Sequence, residues 1–286
     1  MKISEIIQII KSNSRGELHG QKCSDERDKI LYGSEDKECT GIVTTVFGSV
    51  DVLKEAARLG ANLVIVNESV FWNHGDATEW LEDNQVFQEK KKILEENDIT
   101  IWRYHEYNRS GIMIDGKFTD PVNYGLCWKM GWEDRIVKSP VDEDIFAEWM
   151  VLEFEGRKVS EIAKEMKEKL GLNGIQIVGD PNTLVYTLYV PPGSIMGYTP
   201  FDNAIISHTE KNGYDCILGL ELVDYTVSEY VRDSAMSGRK RAIIHVGHFN
   251  AEEPGMEYVS RWLTTILSAE KLPVHYVNSK DPYEYI

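Results

Sequence analysis

The stretch LVIVNESVFWNHGD, residues 63–76, runs four apolar residues straight into Asn67, Glu68, His74 and Asp76, with Phe71 and Trp72 set between them. Imidazole and carboxylate side chains gathered in one segment can carry protons, and a borderline cation accepts both donor types together. Three more segments end in the same chemistry. ITIWRY is followed by His105 and Glu106, CILG by Glu221 after one leucine, and IIHVG by His248 and Glu252. In open α/β sheets ligands bind outside the carboxyl ends of the strands, so these groups could converge on one crevice. Taken singly, each reads first as a cap or a solvated group, because carboxylates favour the first turn of the next helix. Only together do these residues point to a site.

GHFNAEEPGM, residues 247–256, is the sharpest single piece. Gly247 permits a tight exit from a strand, His248 and Glu252 stand four apart, and Pro254 reads as the opening of a helix. The pair is either half of a coordination shell or a strand cap followed by a helix cap. WRYHEYNRSG, residues 102–111, adds Arg103 and Arg109, which could hold an anionic substrate or form surface ion pairs. NHGD, with His74 and Asp76, could equally be a turn. His19, His208, His245 and His275 have no helpful neighbours, and His245 reads as facing the core. No Gly-x-Ser-x-Gly, P-loop or dinucleotide glycine fingerprint is present, and PPGSIMG lacks the lysine of a phosphate cradle.

The elements that must position these residues alternate between short β-branched runs and helical patterns, which implies an α/β fold with mostly parallel sheets. Strands are expected at 41–47, 63–67, 99–105, 175–179, 183–190, 215–219, 241–247 and 273–277. Helices are expected at 49–60, stopped by Gly60, and at 86–97, 159–171, 201–212, 224–237 and 254–269. Ile3, Ile6, Ile7 and Ile10 share one face of an N-terminal helix. The less regular segment 116–156 marks the passage between two α/β domains, 1–125 and 126–286, with 240–286 packing against the first and a metal site in the cleft between them. Over 286 residues, 42% are hydrophobic and 27% charged, which suits a folded globular chain. A formal charge of −16 with no basic run argues against a nucleic-acid partner. The four cysteines form no Cys-x-x-Cys pair and no apolar run is long enough for a signal or membrane span, so we expect reduced thiols and a cytoplasmic location.

VTTVFGSVDVLKEAARLGANLVIVNESVFW, VSEIAKEMKEKLGLNGIQIVGD, GYDCILGLE, HVGHFNAEEPGM and DPYEY together resemble the Nif-three-like dinuclear-metal-centre hexameric proteins, whose bacterial members are labelled GTP cyclohydrolase I type 2 homologues. The resemblance covers nearly the whole chain. It implies two α/β domains, a hexameric ring, and two metal ions held by an N-terminal His-His motif, an Asp and a C-terminal Gly-His-x-x-x-Glu. Here His248 and Glu252 keep the last motif. Asn67 and Glu68 stand where the two histidines are usual, and Asn108 and Arg109 occupy the neighbourhood of the Asp. The chain thus looks like a variant branch with a carboxylate-rich pocket in which Glu68, His105, His248 and Glu252 would hold one or two divalent ions (Zn²⁺, Mn²⁺ or Fe²⁺), one being favoured. The implied activity is a metal-dependent hydrolase acting through a metal-activated water on a small, nucleotide-like substrate, with Glu106 or Glu221 moving the proton. A metal-delivery oligomer and an interaction scaffold are the alternatives.

Overall fold

A computed structural model of the chain describes residues 1–18, 20–73, 77–138, 149–191, 200–221 and 223–286. His19, His74, Asp76 and the PPGSIMG loop beyond its first proline lie outside the described residues. In chain order the main elements are α1 (Ile3–Ser12), β1 (Ile30–Tyr32), β2 (Ile42–Thr45), α2 (Val50–Arg58), β3 (Leu63–Val66), α3 (Gln85–Glu96), β4 (Thr100–Arg103), α4 (Glu106–Ser110) and α5 (Pro121–Met130). They continue with β5 (Ile136–Lys138), β6 (Met150–Lys158), α6 (Val159–Leu170), β7 (Gln176–Gly179), β8 (Leu184–Val190), α7 (Pro200–Asn212), β9 (Cys216–Gly219), α8 (Val227–Met236), β10 (Ala242–His245), α9 (His248–Ile266) and β11 (Val274–Tyr276). Two compact units result: Met1–Gly125 with Glu252–Ser279, and Leu126–Ala251 with Lys280–Ile286. No helix among the described residues is long and apolar enough to cross a membrane.

The first unit is built on a sheet of order β11-β2-β3-β4-β1, parallel except for β1 at one edge. Strands β2, β3 and β4 are buried at every position, as strands covered on both faces must be; β3 reads as an unbroken apolar run, whereas β2 and β4 also bury Thr44, Thr45, Thr100 and Arg103. Ser49 caps α2 by accepting the Val52 N–H at 3.3 Å, and Asn84 caps α3 by accepting the Phe87 N–H at 2.9 Å. Gly60 ends the α2 turn at φ +69°, a conformation that costs glycine little. The four isoleucines of α1 are all buried, so the apolar stripe faces the core.

The second unit carries a sheet of order β7-β10-β9-β8-β6-β5. Only β8, β9 and β10 are parallel neighbours; β5, β6 and β7 pair antiparallel, so this sheet is mixed. Alternation along its strands divides the core: Leu188, Cys216, Leu218, Ala242 and Ile244 pack on one face, and Tyr189, Ile217 and Ile243 on the other. Cys39, Cys127 and Cys216 are buried free thiols and Cys23 is partly buried.

One helix start differs from expectation. The last long helix begins at His248, and Pro254 lies inside it. Gly247, at φ +93°, turns the chain directly out of β10, and its carbonyl accepts the first helical bond, from the Ala251 N–H at 3.0 Å. A proline there removes one backbone donor and its ring crowds the Asn250 carbonyl, a cost of about 3 kcal/mol that the rest of the helix's packing has to offset. The shift puts His248 and Glu252 one turn apart on the same helix.

Lys90, on α3, is 1% exposed. Its Nζ donates to the Val70 carbonyl at 2.7 Å and lies 4.6 Å from the ring centre of Phe47, 5.7 Å from Phe71 and 5.6 Å from Trp72. The lysine thereby fastens the loop that follows Glu68, in which Trp72 adopts φ +62°. Burial pushes the amine down to about 7. The unfolded chain keeps this proton up to the ordinary lysine range, so between that range and about 7 it binds more protons than the folded chain, and stability rises with pH. Relative to Lys90→Met, the parent should therefore gain about 1 kcal/mol per pH unit at most between pH 7 and pH 9. Urea denaturation of both proteins at the two pH values checks this, and a constant difference refutes it.

Candidate metal centre

The site grows from the carboxyl ends of β3 and β4, which lie side by side in parallel register with Val66 opposite Arg103. Asn67 and Glu68 follow β3 at once, and His105 follows β4 at the N-terminus of α4. Glu252, on α9, is 1% exposed and reaches the same place. Its Oε2 accepts from Asn67 Nδ2 at 2.8 Å, and its Oε1 accepts from the Arg109 guanidinium, whose other arm donates to Asp120 Oδ2 at 3.1 Å. An ionised carboxylate offers only acceptors, so Asn67 must turn its NH₂ towards Glu252 and its carbonyl away. That carbonyl in turn accepts from Asn108 Nδ2 at 3.1 Å, which leaves the buried Asn108 Oδ1 without a protein partner among the described residues. The orientation of both amides is thus dictated by one buried anion.

His248 lies four residues before Glu252 on α9, hence on the same helix face. One ligand atom each from Glu68, His248 and Glu252 lie within 4.8 Å of one another. The Nδ1 of His248 stands 2.7 Å from Glu221 Oε1, an acceptor, so Nδ1 carries the proton and Nε2 keeps its lone pair. A carboxylate behind a histidine in this way fixes the tautomer that a metal needs. Two carboxylates and an oriented imidazole fit a divalent ion of the zinc, manganese or iron type. Both oxygens of Glu252 already face N–H donors, and Asn67 turns its only possible ligand atom, the carbonyl, towards Asn108.

The remaining expected residues fall at different distances from this group. His105 Nε2 is 3.7 Å from Glu68 Oε1, too long for a hydrogen bond but close to the roughly 3.5 Å that separates two ligands on one tetrahedral ion. Burial, reinforced by Arg109, pushes His105 down to about 3 and keeps it neutral. Glu106 is engaged elsewhere: its Oε2 accepts the Ser24 N–H at 3.1 Å, and Arg27 approaches its Oε1 at 4.0 Å. Arg103 donates from Nε to the Arg27 carbonyl at 2.6 Å.

The geometry has counterparts among known proteins. A family model described as Duf34/NIF3 (NGG1p interacting factor 3) matches residues 1–282. A Clostridium perfringens protein named GTP cyclohydrolase 1 type 2 homolog is 25% identical over 288 residues, covering 100% of both chains. A Clostridium acetobutylicum protein of the same name is 21% identical over 262 residues, 90% of this chain and 89% of that one. The crystal structure of a Staphylococcus aureus hypothetical protein matches with a TM-score of 0.72 at 17% identity, covering 100% of this chain and 99% of that one. A Bacillus cereus protein related to NIF3 matches with a TM-score of 0.71 at 15% identity over the same shares. At these identities the two structures speak for the α/β fold alone.

Asp28 is a residue that sequence reasoning missed. It is 1% exposed, and its two oxygens accept the backbone N–H groups of His105 at 2.8 Å, Glu106 at 2.9 Å and Tyr107 at 2.7 Å. It is the N-cap of α4, supplied from a distant part of the chain, and it fixes the backbone of His105. Burial pushes its carboxyl up to about 6 despite the three donors, so the position is held at a cost. Asp28→Asn would set an NH₂ against at least one of these N–H groups and should destabilise the fold by about 1–3 kcal/mol. Urea denaturation reads the loss; an unchanged midpoint would show that α4 needs no such cap.

Proposed function

The chain belongs to the Duf34/NIF3 family, and on that premise we propose that it is a metal-dependent hydrolase whose single divalent ion is held by Glu68, His248 and Glu252. The observation that carries this reading is the His248 imidazole, oriented by Glu221 so that its Nε2 keeps a lone pair while two carboxylates stand within 4.8 Å. When bound, an ion of this kind supplies Lewis acidity and lowers the pKa of water near it towards neutrality. The chain's own residues do the rest. Glu221 holds the tautomer and orientation of His248, Asn67 and Arg109 hold Glu252, and Asp28 holds the backbone of His105. His105, kept neutral beside Glu68, offers its Nε2 lone pair to the same place as a further nitrogen donor. Of the two carboxylates expected to move a proton, Glu221 touches the group through His248, and Glu106 is occupied by Ser24 and Arg27. The printed name of the Clostridium perfringens relative supports a small, nucleotide-like substrate for this chain.

A closed homo-oligomer, a hexamer by the family resemblance, completes the proposal. Light scattering at working concentration should find six chains, and a monomer would overturn that part.

Metal-stripped protein given Zn²⁺ or Mn²⁺ should take up one ion per chain by native mass spectrometry. Nucleotide hydrolysis should then depend on the ion and disappear in His248→Ala. Glu221→Gln should weaken the ion's affinity about 10- to 100-fold, as loss of an orienting partner does. Uptake and exchange without turnover of any nucleotide would replace the enzyme by a metal carrier. No uptake, with the oligomer intact, would leave a scaffold.

A further inference from the structure

We propose that the Arg109 guanidinium is a resident cation standing in for a second metal ion, so that Arg109 sets the number of ions this chain can load. The inference deepens the metal reading above and rests on it for the first ion only. Arg109 bridges two carboxylates, Glu252 and Asp120, in the manner of a shared ion: one arm donates to Glu252 Oε1 and the other to Asp120 Oδ2 at 3.1 Å. The side chains of Arg109 and Glu252 are 9% and 1% exposed, so water screens their pairing poorly. The remaining oxygen of Glu252 faces Asn67 Nδ2 at 2.8 Å. Each oxygen of Glu252 therefore has an N–H donor in place before any ion arrives, and one of the two is a permanent positive charge.

Two consequences follow from charge alone. A guanidinium touching a ligand carboxylate repels a divalent ion on the same carboxylate, so it weakens the first ion and denies space and charge to a second. Its removal would leave Glu252 and Asp120 as poorly solvated anions without the counter-charge they share, and such a pair takes up a cation or a proton more readily. Lysine at this position would keep the charge while losing the two-armed geometry.

The test compares parent, Arg109→Gln and Arg109→Lys proteins, each stripped of metal and titrated with Zn²⁺ and with Mn²⁺. Ion count is read by native mass spectrometry and affinity by calorimetry. The parent should hold one ion. Arg109→Gln should hold two, or hold one at least ten-fold tighter, and its melting temperature should rise on metal addition by more than the parent's. Arg109→Lys should keep the parental count. A parent that binds no ion beside an Arg109→Gln protein that binds one would sink the native metal reading and uphold the role of Arg109. Equal count and affinity in parent and Arg109→Gln, or two tightly held ions in the parent, would overturn it, and binding by neither protein would overturn both. Should Arg109→Gln fail to fold, Asp120→Asn decides: its amide oxygen can still accept the Val122 N–H that Asp120 Oδ1 accepts at 2.8 Å. With the partner anion gone, Arg109 faces Glu252 with its charge less compensated, so ion affinity should fall about ten-fold, and unchanged or tighter binding would refute the inference.

Discussion

A carboxylate that is 1% exposed must find its counter-charge and its hydrogen bonds inside the protein, and Glu252 finds both within its own unit. The requirement spreads outward. It selects the amide orientation of Asn67, through Asn67 that of Asn108, and it calls for a cation, which Arg109 supplies. Because Asn67 follows β3 directly and Asn108 and Arg109 lie on the helix after β4, the anion ties two parallel strand ends to α9. A neighbouring carboxylate, Glu253, serves a different end: it accepts from the Tyr276 hydroxyl at 2.8 Å and the Ser279 N–H at 2.9 Å, fixing the segment at and beyond β11. Burial pushes Glu253 upward against those donors, so neither member of the pair is a casual surface acid.

Much of the fold was legible because its strongest signals are local. Strand β3 is an unbroken apolar run, β2 and β4 begin on β-branched residues, and Gly60 marks the end of α2 within a residue or two. Where a local rule competed with the tertiary setting, the rule lost. Pro254 suggested a helix start, yet the turn at Gly247 allowed the helix to begin at His248, a full turn and more before the proline. The helix α5, PVNYGLCWKM, spreads its apolar residues all round and offers no period to read, and β6 is set by its antiparallel pairing with β8, a partner more than twenty residues on.

The candidate centre was legible to the extent that strand ends collect chemistry. Glu68, His248 and Glu252 could be proposed from that rule, and Glu221 with them, although its contact with His248 is a matter of space. Asp28 could not, since it sits in a run of charged residues and its three backbone donors lie 77 to 79 residues away. Arg109 was visible as a residue and not as a partner. A surface ion pair and an anion site are the ordinary readings of an arginine beside acids, and nothing local tells that its carboxylate arrives from a helix 143 residues later.

That separation also has a meaning in time. Asn67 and Arg109 leave the ribosome 185 and 143 residues before Glu252 does, and β11, the strand that borders β2, comes later still. At synthesis rates of roughly 5–20 residues per second, the guanidinium waits on the order of ten seconds for its carboxylate. Through that interval the nascent first unit has an open sheet edge along β2 and a cation with no buried anion to meet. The second unit has all its strands synthesised before β11 appears, so the sheet that starts first along the chain is the last to be completed.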